Sequence, residues 1–241
     1  MSVLVPMSGP MRYMIPMQEQ LVGIGIYTAA EAGRLLRIPA KKIARWVRGH
    51  RVGAHFYAPL WNAQIHLSDG QIFLGFRDLL EARIANRFIQ EGLSPQRVRA
   101  GIALASEIIG TDRPLSSYRF RTDGREIFFK ILSTDDEGQP REQLLNLFRR
   151  QFEFKQVIDP LLRDVDFEDG EPSMWWPLGK QQHVVVDPAR SFGQPIDADT
   201  SVPTRSLAAA AAIDGEQEAA LAFDVSVAAV KRAVRFEAAM A

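Results

Sequence analysis

Pro39 divides two short runs of helical periodicity, and that break constrains the fold more than any other feature of the chain. Upstream of it, Thr28 and Glu31 have the spacing of a capping box, in which a hydroxyl and a carboxylate satisfy orphan amides at a helix start. Ala29, Ala32, Leu35 and Leu36 then repeat at helical spacing, and the pattern stops near Arg37. Pro39 suits the first turn of a new helix, where its missing N–H costs nothing. That helix runs to about Arg48 and ends before Gly49. Two short helices joined by a three-residue turn read as a helix-turn-helix.

The second helix has two unlike sides. At about 100° per residue, with Lys41 at zero, Lys42, Arg45 and Arg48 fall at about 100°, 40° and −20°. Ile43, Trp46 and Val47 fall at about 200°, 140° and 240°. The apolar arc is predicted to pack on the first helix and the cationic arc to face outward. Seven Lys or Arg lie between Arg34 and Arg51, although the formal net charge of the whole chain is zero. The balance comes from elsewhere: residues 24–130 carry net +8, residues 131–180 net −5 and residues 181–241 net −3. A basic half beside an acidic remainder points to a polyanion partner for the first half. Lys41 and Arg45 are placed to reach base edges in a major groove. Lys42, Arg48 and Arg51 suit phosphates, and Arg34 and Arg37 the flanking backbone.

Beyond the basic helix, "IHLSDGQIFL" sets Asp69-Gly70 between apolar runs, a hairpin signal, and is read as a wing. Phe76, Leu80, Ile84 and Phe88 mark an amphipathic helix. Ser94-Pro95 starts another, to about Ile109, with Val98, Ile102 and Ala105 on one face. "YRFRTDGREIFFKI" reads as a second hairpin at Asp123-Gly124. "STDDEGQPRE" is an acidic linker, followed by a helix from about Glu142 to Phe152. "RDVDFEDGEPSMWWPLG" is acidic and turn-rich. It is no calcium loop, because Trp175 stands where the closing Glu belongs. Asp166 and Glu168, with Trp175 and Trp176 as anchors, are candidates for a protein contact; the competing reading puts both tryptophans in a core. "HVVVDP" is a buried strand. Pro203 opens the first of three short helices, Glu216 to Phe223 forms the second, and Ser226 caps the third. Ala222, Phe223, Val225, Val230, Val234 and Phe236 are expected to supply their core. Lys231, Arg232 and Arg235 on the third helix are read as a solvated face in a net acidic module, with DNA contact as the alternative.

The expected fold class is mostly α with small β-hairpins: a winged helix-turn-helix domain plus a C-terminal, three-helix, helix-turn-helix-like domain. The expected boundaries are a disordered leader at 1–22, a DNA-binding domain at 23–132, an acidic linker and helix with the Trp-Trp motif at 133–182, and the C-terminal domain at 183–241. The absence of cysteine excludes disulfides and thiolate-bound metals. No apolar run reaches the length of a membrane span, and no secretory signal is evident, so a cytoplasmic location is expected. The four histidines (His50, His55, His66 and His183) lack metal-ligand spacing and a nucleophile partner. No enzyme, cofactor or metal is expected.

"YTAAEAGRLLRIPAKKIARWV", the wing and "LGFRDLLEARIANRFIQEGLSPQRVRAGI" together resemble the MerR-like winged helix-turn-helix. The segment from "VVVDPARSFGQPIDADTSVPTR" to "VKRAVRFE" is similar to the domain of unknown function numbered four-three-three. The order of the two, with "WWPLG" between them, resembles large VapB-type antitoxins. The resemblance implies a protein that binds a PIN-type ribonuclease toxin and, as a homodimer, represses its own operon by holding operator DNA. Asp199-Thr200-Ser201 replaces the usual Gly-Thr-Arg of the C-terminal family, which leaves Arg205 as the candidate for that arginine's part. The MerR dimerising coiled coil is missing, so the helices at 76–109 and the hairpin at 117–131 would substitute for it. The alternative is a ligand-responsive MerR-like regulator without a toxin partner.

Overall fold

A computed structural model of the chain describes residues 23–66, 71–122 and 158–241. The leader, the Asp69-Gly70 and Asp123-Gly124 turns, the acidic linker and the Glu142–Phe152 helix lie outside the described residues.

Helix α1 (Ala29–Leu36) begins with the expected capping box. The Thr28 hydroxyl accepts from the Glu31 amide at 3.2 Å, and the Thr28 amide donates to Glu31 Oε2 at 2.8 Å. The helix ends on Arg37 in the left-handed region (φ 56°), and the Ile38 amide returns to the Gly33 carbonyl at 2.9 Å. A Cβ on Gly33 would lie 2.7 Å from the Ile38 carbonyl oxygen, so this sharp turn requires glycine there. Helix α2 (Ala40–Arg48) starts directly after Pro39. Ala32 and Leu35 of α1 meet Ile43, Trp46 and Val47 of α2 in the main core.

Five short strands border these helices: β1 (Tyr27–Thr28), β2 (His50–Val52), β3 (His55–Tyr57), β4 (Ile65–His66) and β5 (Ile72–Leu74). Strands β4 and β5 pair antiparallel, as the Asp69-Gly70 signal predicts, but β1 adds to β5 and makes a three-stranded sheet. The wing assignment therefore needs correction. The hairpin that directly follows α2 is β2–β3, an antiparallel pair with His50 opposite Tyr57. Its Gly53-Ala54 tip is a weaker turn signal than Asp-Gly.

Helices α3 (Phe76–Gln90) and α4 (Pro95–Ile109) match their periodicity, and Ser94 caps α4 by accepting from the Arg97 amide at 3.3 Å. The hairpin expected from residue 117 is overturned in its described part, since residues 118–122 are helical. The Ser117 hydroxyl accepts from the Phe120 amide at 3.1 Å, and the buried Phe120 ring meets Phe88 edge-on at 6.4 Å. A local cap and one buried aromatic outweigh the β-propensity of "YRF".

Strands β6 (Val165–Glu168), β7 (Glu171–Trp175), β8 (Val184–Val186) and β9 (Pro195–Asp197) form one antiparallel sheet in that order. Asp169 and Gly170 both take positive φ (50° and 83°), so the acidic turn-rich segment is a type I′ hairpin. Trp175 pairs with Val186, and the sheet runs straight through the expected boundary at 182/183. Helices α5 (Thr204–Asp214), α6 (Glu216–Ala222) and α7 (Val227–Met240) follow, with Ser226 capping α7. Their core is Leu207, Ala219, Ala220, Val230 and Ala233, with Val225 and Val234 packed at its edge. The expected core members Ala222 and Phe223 are exposed instead, because α6 turns its two consecutive alanines inward. Phe236 and Met240 of α7 join the main core, so the last helix packs on the N-terminal half.

Candidate nucleic-acid interface and partner surfaces

The two sides of α2 sort as their angles predict. Ile43 and Val47 are buried and Trp46 is only 6% exposed, while Lys41, Arg45 and Arg48 are exposed. Beside them lies a groove of about 460 Å³ between α2, the base of β2–β3 and the first turn of α4. Lys41, Lys42, Arg45, Trp46, His50 and Tyr57 are among its lining residues. The His50 ring stacks on Tyr57 at 5.0 Å and 14°. Arg99 of α4 donates to the backbone carbonyl oxygens of Pro59 (2.7 Å) and Ala58, which fixes the strand leaving the hairpin. Lys42 differs from its neighbours. Its Nζ donates to Asn86 Oδ1 at 3.0 Å and lies 5.1 Å from the centre of the Trp46 ring, so it is held against the protein. No Asp or Glu occurs between Glu31 and Asp69.

Arg34 and Arg37 do not share this face. Arg34 Nη1 pairs with Glu237 Oε2 of α7 at 2.6 Å, and Arg37 Nη2 donates to the Ala239 carbonyl oxygen at 2.8 Å. Glu237 also accepts from the Thr204 hydroxyl at 2.6 Å. Nearby, the Tyr27 hydroxyl donates to the Gly193 carbonyl oxygen at 2.7 Å, and the Ile26 amide to that of Phe192 at 3.0 Å. Burial, with the charges of Asp187 and Glu31, pushes the Tyr27 hydroxyl far above its ordinary range, so it stays a neutral donor. The two arginines assigned to a DNA backbone are instead the fastening of α7 to α1. A linear sequence gives no hint of partners some 200 residues away.

The acidic and aromatic candidates separate as well. Trp175 is 2% exposed, a core residue and no surface anchor. Arg83 lies over its ring at 5.0 Å and donates to the Leu161 carbonyl oxygen. Burial lowers Arg83 to about 10, against the opposing charge of Asp164. Trp176 is half-buried, and its indole N–H donates to Asp166 Oδ2 at 2.7 Å. Lys180 binds the other Asp166 oxygen. Burial raises the Asp166 carboxyl, but the bonds from Lys180 and Trp176 and the charges of Lys180 and Arg121 outweigh it, and the net shift is downward. Glu168 is exposed on β6. Arg205 is exposed on α5, beside a cavity of about 70 Å³ that Arg34 and Glu237 also line. Arg232, read as part of a solvated face, is bound instead: it pairs with the buried Asp197 at 2.7 Å and with Asp199 at 2.7 Å. The sequence missed a different surface. Ile213 at the end of α5 is 82% exposed and Leu221 on α6 is 76% exposed, with Phe223 after them. Exposed Asp214, Glu218 and Asp224 lie among them in the chain.

No protein-family model matches the chain. Over 184 residues it is 29% identical to a Mycobacterium tuberculosis protein named "Putative antitoxin VapB45", covering 72% of this chain and 77% of that protein. A crystal structure of the Mycobacterium tuberculosis protein Rv2018 superposes with a TM-score of 0.66 at 26% identity, covering 86% of this chain and 96% of the other. Among the described residues, no helix is long and apolar enough to cross a membrane.

Proposed function

We propose that this chain is an antitoxin that holds operator DNA through its N-terminal half, neutralises a PIN-type ribonuclease toxin through its acidic C-terminal half, and has no enzymatic activity. The likeness to a protein named as an antitoxin supports the class. The observation that carries the DNA reading is the division of α2, with Lys41, Arg45 and Arg48 outward and Ile43, Trp46 and Val47 buried. In this reading α1, α2 and β2–β3 form a MerR-like winged helix-turn-helix, with α2 in the major groove and the hairpin as its wing. Lys41 and Arg45 reach base edges. Arg48 and Arg51 neutralise phosphates, and Lys42 adds charge from a fixed position. A homodimer would place two such helices on half-sites about one turn apart, and binding there would repress the operon.

For the toxin, the exposed Ile213, Leu221 and Phe223, with the exposed Asp214, Glu218 and Asp224 close to them in the chain, offer both apolar and acidic contacts. That chemistry suits the cationic RNA groove of a ribonuclease, which it would cover and close to substrate. Glu168 adds exposed negative charge on β6, whereas the Asp166 carboxylate is taken up by Lys180 and Trp176.

The test has two arms. Expression of the neighbouring reading frame alone should arrest growth, and co-expression of this chain should restore growth and co-purify the product. Ile213→Asp with Leu221→Asp should release that product and leave DNA binding intact. A harmless neighbour that does not co-purify would remove the toxin reading. In gel shifts with DNA from upstream of its own reading frame, Lys41→Ala and Arg45→Ala should each cost about 1–3 kcal/mol. Unchanged shifts for both would move the DNA site elsewhere.

A further inference from the structure

The groove between α2, the base of β2–β3 and the first turn of α4 lies outside the contacts assigned to DNA above, although Lys41 and Arg45 stand in both. Its volume of about 460 Å³ is that of a small-molecule pocket. Two kinds of side chain line it. Lys41, Lys42, Arg45 and Arg99 bring four cations, and no Asp or Glu is among the described lining residues. A cleft lined by one sign of charge concentrates the opposite sign inside it. Trp46, His50 and Tyr57 bring flat rings. Much of this lining is fixed before any ligand arrives. Lys42 is tied to Asn86 and lies over the Trp46 ring, and Arg99 is tied to the carbonyl oxygens of Pro59 and Ala58. His50 lies nearly parallel to Tyr57. The Nδ1 atom of His50 is buried and has no hydrogen-bond partner among the described residues, which is costly until something bonds to it.

Cations alone fit any anion. The rings fit a flat group that can stack on them, as bases stack on aromatic side chains and guanidinium planes. A ligand that carries both a phosphate and a ring can fill a cavity of this size, whereas inorganic phosphate would leave most of it empty. We propose that the groove binds a small anion of the mononucleotide class, with its phosphate on Lys41 and Arg45 and its base against the His50–Tyr57 wall, and that this ligand competes with DNA. The site stands on the groove alone, and the competition rests on the DNA-binding reading above. Lys41 and Arg45 cannot hold a phosphate in the groove and reach base edges at the same time. An occupied groove therefore lowers the affinity of the chain for its operator.

The test uses the full chain with adenosine monophosphate as the probe. Binding is read by titration calorimetry, and DNA affinity by gel shift with DNA from upstream of its own reading frame. The monophosphate should bind, and inorganic phosphate and adenosine should each bind at least about tenfold more weakly. Lys41→Glu reverses a charge at an exposed position. It should weaken monophosphate binding by about tenfold or more at an unchanged melting temperature. His50→Gln should weaken it through lost stacking and leave DNA binding as in the wild type. At a concentration equal to its own Kd, the monophosphate should raise the apparent Kd for DNA about twofold. Inorganic phosphate at the same ionic strength should not. Absence of monophosphate binding would overturn the inference and leave the DNA reading standing. So would inorganic phosphate that binds as tightly, which would reduce the groove to a simple anion site. Undiminished binding in both variants would move the ligand elsewhere and overturn it as well. A short single strand of thymidines that binds more tightly than the monophosphate would assign the groove to a nucleic-acid strand, against the inference. Bound monophosphate with unchanged DNA affinity would overturn the competition. Monophosphate binding by a wild type that binds no DNA would support the site and remove the parent reading.

Discussion

Glu81 is fully buried on α3, with Oε1 accepting from the Ser116 amide at 2.8 Å and Oε2 without a partner. Burial pushes its carboxyl from 4.5 to about 8, against the lowering effect of the Ser116 bonds. The folded state therefore holds a proton that the unfolded state gives up. This contribution to stability is complete below the unfolded value near 4.5 and is lost as pH rises from there to about 8. Glu81→Gln keeps an acceptor for Ser116 and removes the titration, so its melting temperature should depend less on pH between about 5 and 8. Melting curves of both proteins across that range check it. Asp78, one turn earlier, is buried among donors: Arg113 (2.7 Å), the Trp61 indole (3.2 Å) and the amides of Gln64 (2.7 Å) and Gly75 (3.0 Å) all donate to it. On the proposed DNA face, Lys42 is held by Asn86 and Arg48 is not. Arg48→Ala should flatten the salt dependence of operator binding by about one unit. A slope equal to that of the wild type would exclude a phosphate contact at Arg48.

Among the elements, β2–β3 depends on the end of α2. Gly49 has φ 72°, and a Cβ there would lie 2.4 Å from the Tyr57 carbonyl oxygen. Gly49→Ala should cost about 1–3 kcal/mol from backbone strain alone, measured by urea denaturation. It should also weaken DNA binding by dislodging the hairpin, even though no cation is changed. Helix caps were legible because each is a local event: Thr28 with Glu31, Ser94 and Ser226 all act within three residues. The Asp-Gly hairpin at β4–β5 was legible for the same reason. The β2–β3 hairpin was not, because Gly53-Ala54 leaves its turn open to several conformations. The segment at 118–122 misled in the opposite way. Its β-prone side chains are overridden by the Ser117 cap and by the pocket that Phe88 gives to Phe120.

At the scale of the molecule, α7 ties the two halves together. Phe236 and Met240 enter the main core while Glu237 joins Arg34 to Thr204. Phe236→Ala should cost about 3–5 kcal/mol and lower one shared unfolding transition by calorimetry. An N-terminal transition that stays at its wild-type temperature would show that the halves melt separately. By itself the sequence determined whatever depends on neighbours a few residues apart: the capped helices, the turn at Pro39, and the cationic and apolar arcs of α2. Helical geometry follows from spacing, so those arcs could be drawn before any partner was known. Only the tertiary structure decided which cations remain outward. Arg34, Arg37 and Arg232 looked as free as Arg45, but each meets an acceptor brought from a distant part of the chain, and no local rule encodes that meeting. The same holds for Trp175, which packing buried, and for Ile213, Leu221 and Phe56, which packing left in water.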